Sequence, residues 1–99
     1  MAAGERAQRL PPEVNRVLLV RNLPFSMERS ELWHLFGKFG PVRQIRLGTA
    51  KNTRGSAFVV FDDVFDAKRA CEHLSGFNVH NRYLIIVYHR PHKLNKKTS

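Results

Sequence analysis

The sequence is poor in cysteine, in acidic side chains and in long apolar runs. Its one cysteine, Cys71, excludes an intramolecular disulfide and a zinc site built from several cysteines. The longest apolar run, Leu84 to Tyr88, is far shorter than the roughly 20 residues that span a bilayer, and the N-terminus lacks the apolar segment of a signal peptide. We therefore expect a protein of a reducing, intracellular compartment with no membrane-spanning segment.

Basic side chains outnumber acidic ones by 17 to 8, which gives a formal charge of +9. An excess of this kind favours an anionic partner, either a nucleic acid or an anionic membrane surface. A basic surface that is only solvated is the alternative. The charge therefore predicts that a partner is negatively charged, and the motifs must indicate which partner it is.

The 99 residues are enough for one small domain with a single core and too few for two. Residues 1–16 are polar and contain two adjacent prolines, which predicts an extended arm. We expect the folded domain over residues 17–89, followed by a basic tail at residues 90–99. The sequence contains no internal repeat and no low-complexity region.

The pattern of apolar residues predicts four strands and two helices. The strands are expected at Val17–Asn22, Val42–Leu47, Ser56–Phe61 and Tyr83–Tyr88. The first helix, Glu28–Phe39, has apolar residues at helical spacing, and its cap is either its first residue or Ser26. The second helix begins after Asp63 and ends before Gly76.

The order βαββαβ predicts an α+β fold of the ferredoxin-like type, a four-stranded antiparallel sheet with both helices packed on one face. Because side chains alternate along a strand, one set faces the helices and the other lies on the open face. The predicted inward set is Leu18, Val20, Ile45, Leu47, Ala57, Val59, Phe61, Leu84 and Ile86. The predicted outward set is Leu19, Arg21, Gln44, Arg46, Ser56, Phe58, Val60, Ile85 and Val87.

Two motifs on the predicted central strands indicate what the open face binds. The octapeptide RGSAFVVF, at residues 54–61, matches the pattern K/R-G-F/Y-G/A-F-V-x-F/Y except at Ser56. The hexapeptide LLVRNL, at residues 18–23, resembles the accompanying short motif, with Leu19 where an aromatic residue is usual. The sequence therefore resembles the RNA recognition motif family over about residues 17–88.

This resemblance implies that RNA bases stack on rings of the open face and that a basic residue beside them contacts phosphate. Phe58 is the retained ring, and Arg54 opens the long motif. The RNA-binding residues that we expect are Leu19, Arg21, Arg46, Arg54 and Phe58. Stacking contributes about 1–3 kcal/mol per base. The two absent rings, at Leu19 and Ser56, are therefore expected to weaken RNA binding by the isolated domain.

The apolar residues of the outward set favour a protein partner. A patch of aliphatic side chains on a face that water would otherwise wet most often marks a protein contact, and RNA gains little from such side chains. The partner-binding residues that we expect are Leu19, Val60, Ile85 and Val87. Two alternatives stay open. The chain's own tail covers the patch, or the domain is a pure protein-interaction module that has lost direct RNA contact.

Longer stretches extend the resemblance to one branch of the family. They are LPPEVNRVLLVRNLPF, FGKFGPVRQIRLG and TRGSAFVVFDDVFDAKRACEHLSGFNVHNRYLIIVY, and they are similar to the small branch-site subunits of the splicing factor 3b complex. This similarity implies a nuclear protein of pre-mRNA splicing that docks, as a monomer, on the large helical-repeat scaffold subunit of that complex in the spliceosome. The implied RNA partner is the pre-mRNA branch region, with a small nuclear RNA as a further candidate and no membrane partner. The aromatic residue that contacts the branch adenosine in those subunits falls at Leu19.

No residue pattern indicates catalysis or a bound cofactor. The five histidines are scattered, and His89 and His92 lack further ligands nearby, so we expect no metal site. Cys71 lies on the apolar face of the second helix and is interpreted as a small buried hydrophobe. A ferredoxin-like acylphosphatase shares the strand order, but the glycine-rich anion loop before its first helix is missing here. We therefore expect a binding module with neither enzyme activity nor a cofactor.

Overall fold

The structure, a computed structural model, describes residues 10–89. Residues 1–9 of the predicted arm and residues 90–99, the predicted tail, lie outside the described part. The strands are β1 Val17–Arg21, β2 Val42–Leu47, β3 Ala57–Phe61, β4 Asn78–Val79, β5 Arg82–Tyr83 and β6 Ile85–Tyr88, and the helices are α1 Arg29–Phe36 and α2 Val64–Leu74. None of the described helices is long and apolar enough to cross a membrane.

Four of the strands form one antiparallel sheet in the order β2-β3-β1-β6. Strands β1 and β3, which carry the two motifs, are central and pair with each other. Strand β6 pairs with the other side of β1, and β2 pairs with the other side of β3. The predicted βαββαβ architecture is confirmed, and it places both motifs in the middle of the sheet.

The core lies between the sheet and the two helices. Every residue of the predicted inward set is buried except Leu47, which is partly buried against the core. The helices contribute Leu32, Phe36, Ala67, Ala70 and Leu74. The rings of Phe36 and Phe61 meet in this core with their centroids 6.5 Å apart. Because a slip of one residue would expose the whole inward set, this burial determines the strand register and therefore which side chains face outward.

Helix α1 differs from the predicted segment at both ends. Its N-cap is Glu28 and not Ser26, and the backbone N–H of Glu28 donates to Oε1 of Glu31 at 3.0 Å. This bond satisfies a backbone donor at the first turn, which makes the residue type at the cap less important. The α-helix stops at Phe36, and a 3-10 turn, Gly37–Phe39, completes the predicted length.

The prediction of one continuous last strand was wrong. Tyr83 belongs to a separate two-stranded hairpin of β4 and β5, and only β6 joins the main sheet. The reason is the end of β1, where Arg21 pairs with Ile85. Asn22 then turns the backbone with φ 65°, and its side-chain Nδ2 donates to the Tyr83 carbonyl at 2.8 Å. Tyr83 is consequently left without a strand partner in the main sheet.

Candidate nucleic-acid and protein interface

A cross-strand row of four side chains crosses the centre of the open face. It runs from β2 to β6 in the order Arg46, Phe58, Leu19, Val87. Directly opposed residues on one face of an antiparallel pair have Cβ atoms about 4.5–5.5 Å apart, so each side chain adjoins the next. The two motif positions, Leu19 and Phe58, are therefore immediate neighbours.

A groove of about 560 Å³ lies beside Phe58, next to the loop that joins β2 to β3. Ser56 lines it, and the Ser56 hydroxyl donates to the Thr53 carbonyl of that loop at 2.7 Å. Strand β3 begins at Ala57, one residue later than predicted. Because Ser56 lines the groove, an aromatic ring at this position would occupy part of its volume. The serine therefore leaves space beside Phe58 where the family pattern would place a ring.

The groove carries positive charge without a neighbouring carboxylate. Arg21 and Arg46 line it, and none of its described lining residues is acidic. Within residues 10–89 neither guanidinium forms an ion pair or a side-chain hydrogen bond, whereas Arg43 pairs with Asp62 at 2.9 Å. Unpaired guanidinium groups beside an aromatic ring are suited to contacts with phosphate oxygens and base edges.

The structure does not bring Arg54 into this groove. Its guanidinium carbon lies 4.4 Å from the ring centroid of Phe25, which belongs to the loop between β1 and α1. Gly55 follows with φ 84°, and a Cβ atom there would lie 3.0 Å from the Phe25 ring. Backbone conformation and space both favour glycine at this position. Arg54 therefore stacks beside the groove, on a ring that lies outside both motifs.

One ring of the open face was missed in the sequence. His89 follows β6, its backbone N–H donates to the Val17 carbonyl at 2.9 Å, and its imidazole meets the Phe58 ring with centroids 4.6 Å apart. The outward positions of β6, Ile85 and Val87, alternate in steps of two residues. One further step reaches residue 89, so continuing the period was the signal that could have found this contact.

The four residues of the predicted protein site do not form one uniform patch. Leu19 and Val60 are half-buried on the central strands, whereas Ile85 and Val87 keep 52% and 44% of their surface exposed. Both exposed residues lie on β6, an edge strand of the sheet. The face therefore has an arginine-lined groove at one side and an apolar edge at the other, and Leu19 lies between them.

The groups that could carry other chemistry lie away from the open face. Cys71 is half-buried between α2 and β6, with its Sγ atom 3.8 Å from the Ile86 carbonyl. Burial raises the pKa of the Cys71 thiol, and burial together with the nearby thiol raises the pKa of Tyr88. A thiol kept protonated in this way is a poor nucleophile at neutral pH. Within residues 10–89 no three His, Cys, Asp or Glu side chains converge to hold a metal ion, and His92 lies outside that range.

The family model of the RNA recognition motif matches residues 18–85 of the chain. Splicing factor 3B subunit 6 of Drosophila melanogaster is 60% identical over 91 residues, which are 92% of this chain and 75% of that protein. A splicing factor 3B subunit 6-like protein of Arabidopsis thaliana is 61% identical over 89 residues, which are 90% of this chain and 72% of that protein. A solved Sxl-lethal protein/RNA complex matches with a TM-score of 0.73 and 36% identity, over 78% of this chain and 48% of the solved chain.

Proposed function

This chain belongs to the RNA recognition motif family and to its splicing factor 3B subunit 6 branch, and we propose that it is a non-catalytic RNA- and protein-binding subunit of the spliceosome. It acts in pre-mRNA splicing in the nucleus, which the names of its relatives support. The binding unit is residues 17–89, flanked by the arm at residues 1–16 and the basic tail at residues 90–99. Two parts of one sheet face bind the two ligands.

The observation that carries the proposed RNA binding is the groove beside Phe58. Arg21 and Arg46 offer guanidinium donors there without a competing carboxylate. A backbone phosphate of single-stranded RNA binds these donors while a base stacks on the Phe58 ring. With one outward-facing motif ring in place of three, the affinity of the isolated chain is weak. It falls further as salt rises, because each phosphate contact releases a counterion.

The proposed protein contact is the β6 edge with the neighbouring central strands. Ile85 and Val87 expose apolar side chains there, and covering them removes apolar surface from water at about 25 cal/mol per Å². The occupant is a segment of the large helical-repeat scaffold subunit of the splicing factor 3b complex. Of the groove-lining residues, only Leu19 belongs to this protein site, so a docked segment leaves room for RNA.

Leu19 is the proposed contact with the pre-mRNA branch region. It lines the groove and pairs with Val87 on β6, so a nucleotide against Leu19 lies next to the docked protein as well. An aliphatic side chain offers a base apolar contact without ring stacking. A small nuclear RNA remains a further candidate ligand for the same groove.

A second candidate function is a pure protein-interaction domain without RNA contact. The observation that favours it is His89, whose ring lies 4.6 Å from the Phe58 ring between centroids. A stacking base would have to displace the imidazole or share the ring with it. The two functions therefore make opposite predictions for the effect of Phe58 on RNA binding.

An NMR titration of the ¹⁵N-labelled full chain at low salt tests the proposal. One titration uses an RNA oligonucleotide with a branch-region sequence, and the other uses a peptide from the scaffold subunit. RNA is expected to shift the amides of Arg46, Ser56 and Phe58, and the peptide those of Ile85 and Val87. Binding of the peptide with no RNA-induced shift in the groove would contradict RNA binding and leave the pure protein-interaction module.

The variant Phe58→Ala makes this test quantitative. It is expected to weaken RNA binding by roughly tenfold or more, because one stacked base contributes about 1–3 kcal/mol. The affinity for the peptide should fall less. The matched control is Phe65→Ala, which removes an exposed ring from α2 on the helix side of the sheet. That control should leave both affinities unchanged.

A further inference from the structure

Phe25 is an aromatic side chain that is largely exposed to solvent. It retains 66% exposure, more than the other large apolar side chains that the structure describes as exposed. Most of the ring surface is therefore open to a ligand, and covering it would gain the free energy of its burial. Its place in the β1–α1 loop also puts it outside the sheet, where neither sequence motif assigns a contact.

The ring is held in place from one side by Arg54. The guanidinium carbon lies 4.4 Å from the ring centroid, a distance typical of a cation–π contact. The Leu23 N–H donates to the Gly55 carbonyl at 2.8 Å and ties the β1–α1 loop to the segment that leads into β3. The stack therefore joins two loops in a fixed relation, and an ordered ring loses less entropy when a ligand covers it.

The stack adjoins the proposed RNA groove. A small cavity of about 50 Å³ is lined by Phe25, Arg54, Leu47 and Gly48, among others, and Leu47 and Gly48 also line the groove beside Phe58. The described lining of neither cavity contains a carboxylate. Within residues 10–89 the Arg54 guanidinium has no ion pair or side-chain hydrogen bond, so its donors are available.

We propose that Phe25 and Arg54 form a second base-stacking site of this chain, which binds a nucleotide of single-stranded RNA where the strand leaves the groove past Gly48. The base stacks on the Phe25 ring, and the Arg54 guanidinium contacts the adjacent phosphate. This inference rests on the proposed RNA binding and adds a contact outside the sheet. A base stacked on Phe25 would replace part of the stacking that Leu19 and Ser56 cannot provide.

The charge of the site favours RNA over a protein segment as its ligand. An exposed ring with a free guanidinium and no acidic side chain suits a nucleotide, whose base can stack on the ring while its phosphate contacts the guanidinium. The apolar β6 edge, by contrast, offers aliphatic side chains. The two surfaces are therefore expected to bind different ligands, and a substitution of Phe25 should leave the affinity for the scaffold peptide unchanged.

The test measures binding of the full chain to the branch-region RNA oligonucleotide, labelled with fluorescein, by anisotropy at low salt. Phe25→Ala is expected to weaken binding roughly tenfold, the loss of about one stacked base. Phe25→Tyr keeps the ring and should bind within about twofold of the original chain. The matched control is Phe77→Ala, an exposed ring before β4, which should have no effect.

Single abasic nucleotides at successive positions of the oligomer separate stacking from a general loop effect. If one base stacks on Phe25, an abasic nucleotide at that position makes the Phe25→Ala variant and the original chain bind equally, while other positions keep the difference. Wild-type affinity for Phe25→Ala, or a loss of equal size at every abasic position, would overturn the inference. These results leave the proposed function standing if Phe58→Ala still weakens binding. Failure of the original chain to bind any RNA would overturn both.

Discussion

Leu19 lies directly opposite Phe58 where β1 pairs with β3, so an aliphatic side chain adjoins the one outward-facing ring of the two motifs. On its other side Leu19 pairs with Val87 of the exposed β6 edge. The same residue therefore borders both the arginine-lined groove and the apolar edge. A substitution at this position is expected to change the balance between the two proposed ligands.

Leu19→Tyr is expected to tighten binding of single-stranded RNA by roughly tenfold. The new ring stands next to Phe58, and each stacked base contributes about 1–3 kcal/mol. Fluorescence anisotropy with a labelled oligonucleotide measures the change. Leu19→Met is the matched control, because it keeps an aliphatic side chain of similar volume and should bind like the original chain. Equal affinities of the Tyr and Met variants would show that no base reaches residue 19.

Val87→Glu is expected to reduce binding of the scaffold peptide by at least about tenfold, because it places an unpaired carboxylate inside an apolar contact. The fold should tolerate the change, since Val87 is 44% exposed. Isothermal titration calorimetry gives the affinity, and circular dichroism checks the fold.

The control for this variant is Phe65→Glu. It makes the same charge change at an exposed side chain of α2, on the helix side of the sheet. Peptide binding that falls equally in both variants would point to a general effect of charge and would rule out docking on the β6 edge.

Two adjacent aspartates are expected to differ in their effect on stability. Asp63 caps α2 by accepting a hydrogen bond from the Phe65 N–H at 2.8 Å, so Asp63→Ala should lower the free energy of unfolding by about 0.5–2 kcal/mol. Asp62 forms an exposed ion pair with Arg43 at 2.9 Å, and Asp62→Ala should cost only about 0–1 kcal/mol. Urea unfolding of both variants provides the comparison. A larger loss for Asp62 than for Asp63 would contradict the assigned cap.

Cys71 is expected to react slowly with iodoacetamide at neutral pH. Burial raises the pKa of its thiol, and the thiolate is the species that reacts. Mass spectrometry can follow alkylation in the folded chain and, as the control, in urea. Similar rates in both at pH 7 would contradict the buried thiol.

The sign of the corresponding stability change follows from the same shift. A thiol whose pKa is higher in the folded state favours folding at pH values below its unfolded pKa. That contribution is lost as the pH rises through the folded pKa. The raised pKa of Tyr88 acts in the same direction. The urea midpoint should therefore fall in the alkaline range, and fall less in the variant Cys71→Ala.

Short apolar runs and helical spacing were enough to predict the order of the elements and the α+β fold. The period of two along a strand divides its side chains into an inward set, such as Leu18 and Val59, and an outward set, and a strand that buries one face allows only one register. The motifs in β1 and β3 then placed Leu19 and Phe58 on the opposite face. These features depend on local sequence, so reading along the chain could find them.

The tertiary structure decided how distant loops meet. The turn at Asn22, directly after β1, divided the predicted last strand, and pairing with β1 that continues past β6, through the His89 N–H and the Val17 carbonyl, brought the His89 ring onto Phe58. The approach of two loops stacked Arg54 on Phe25 instead of placing it in the groove.

The amino-acid sequence by itself thus determined the sheet, its two faces and the residue types that each face carries, because these follow from a period of two and from apolar burial. Which rings and guanidinium groups touch depends on contacts between residues far apart in the chain. The period of two indicates which face His89 occupies, but no local pattern encodes which partner each group meets, and only the packed fold determined the contacts.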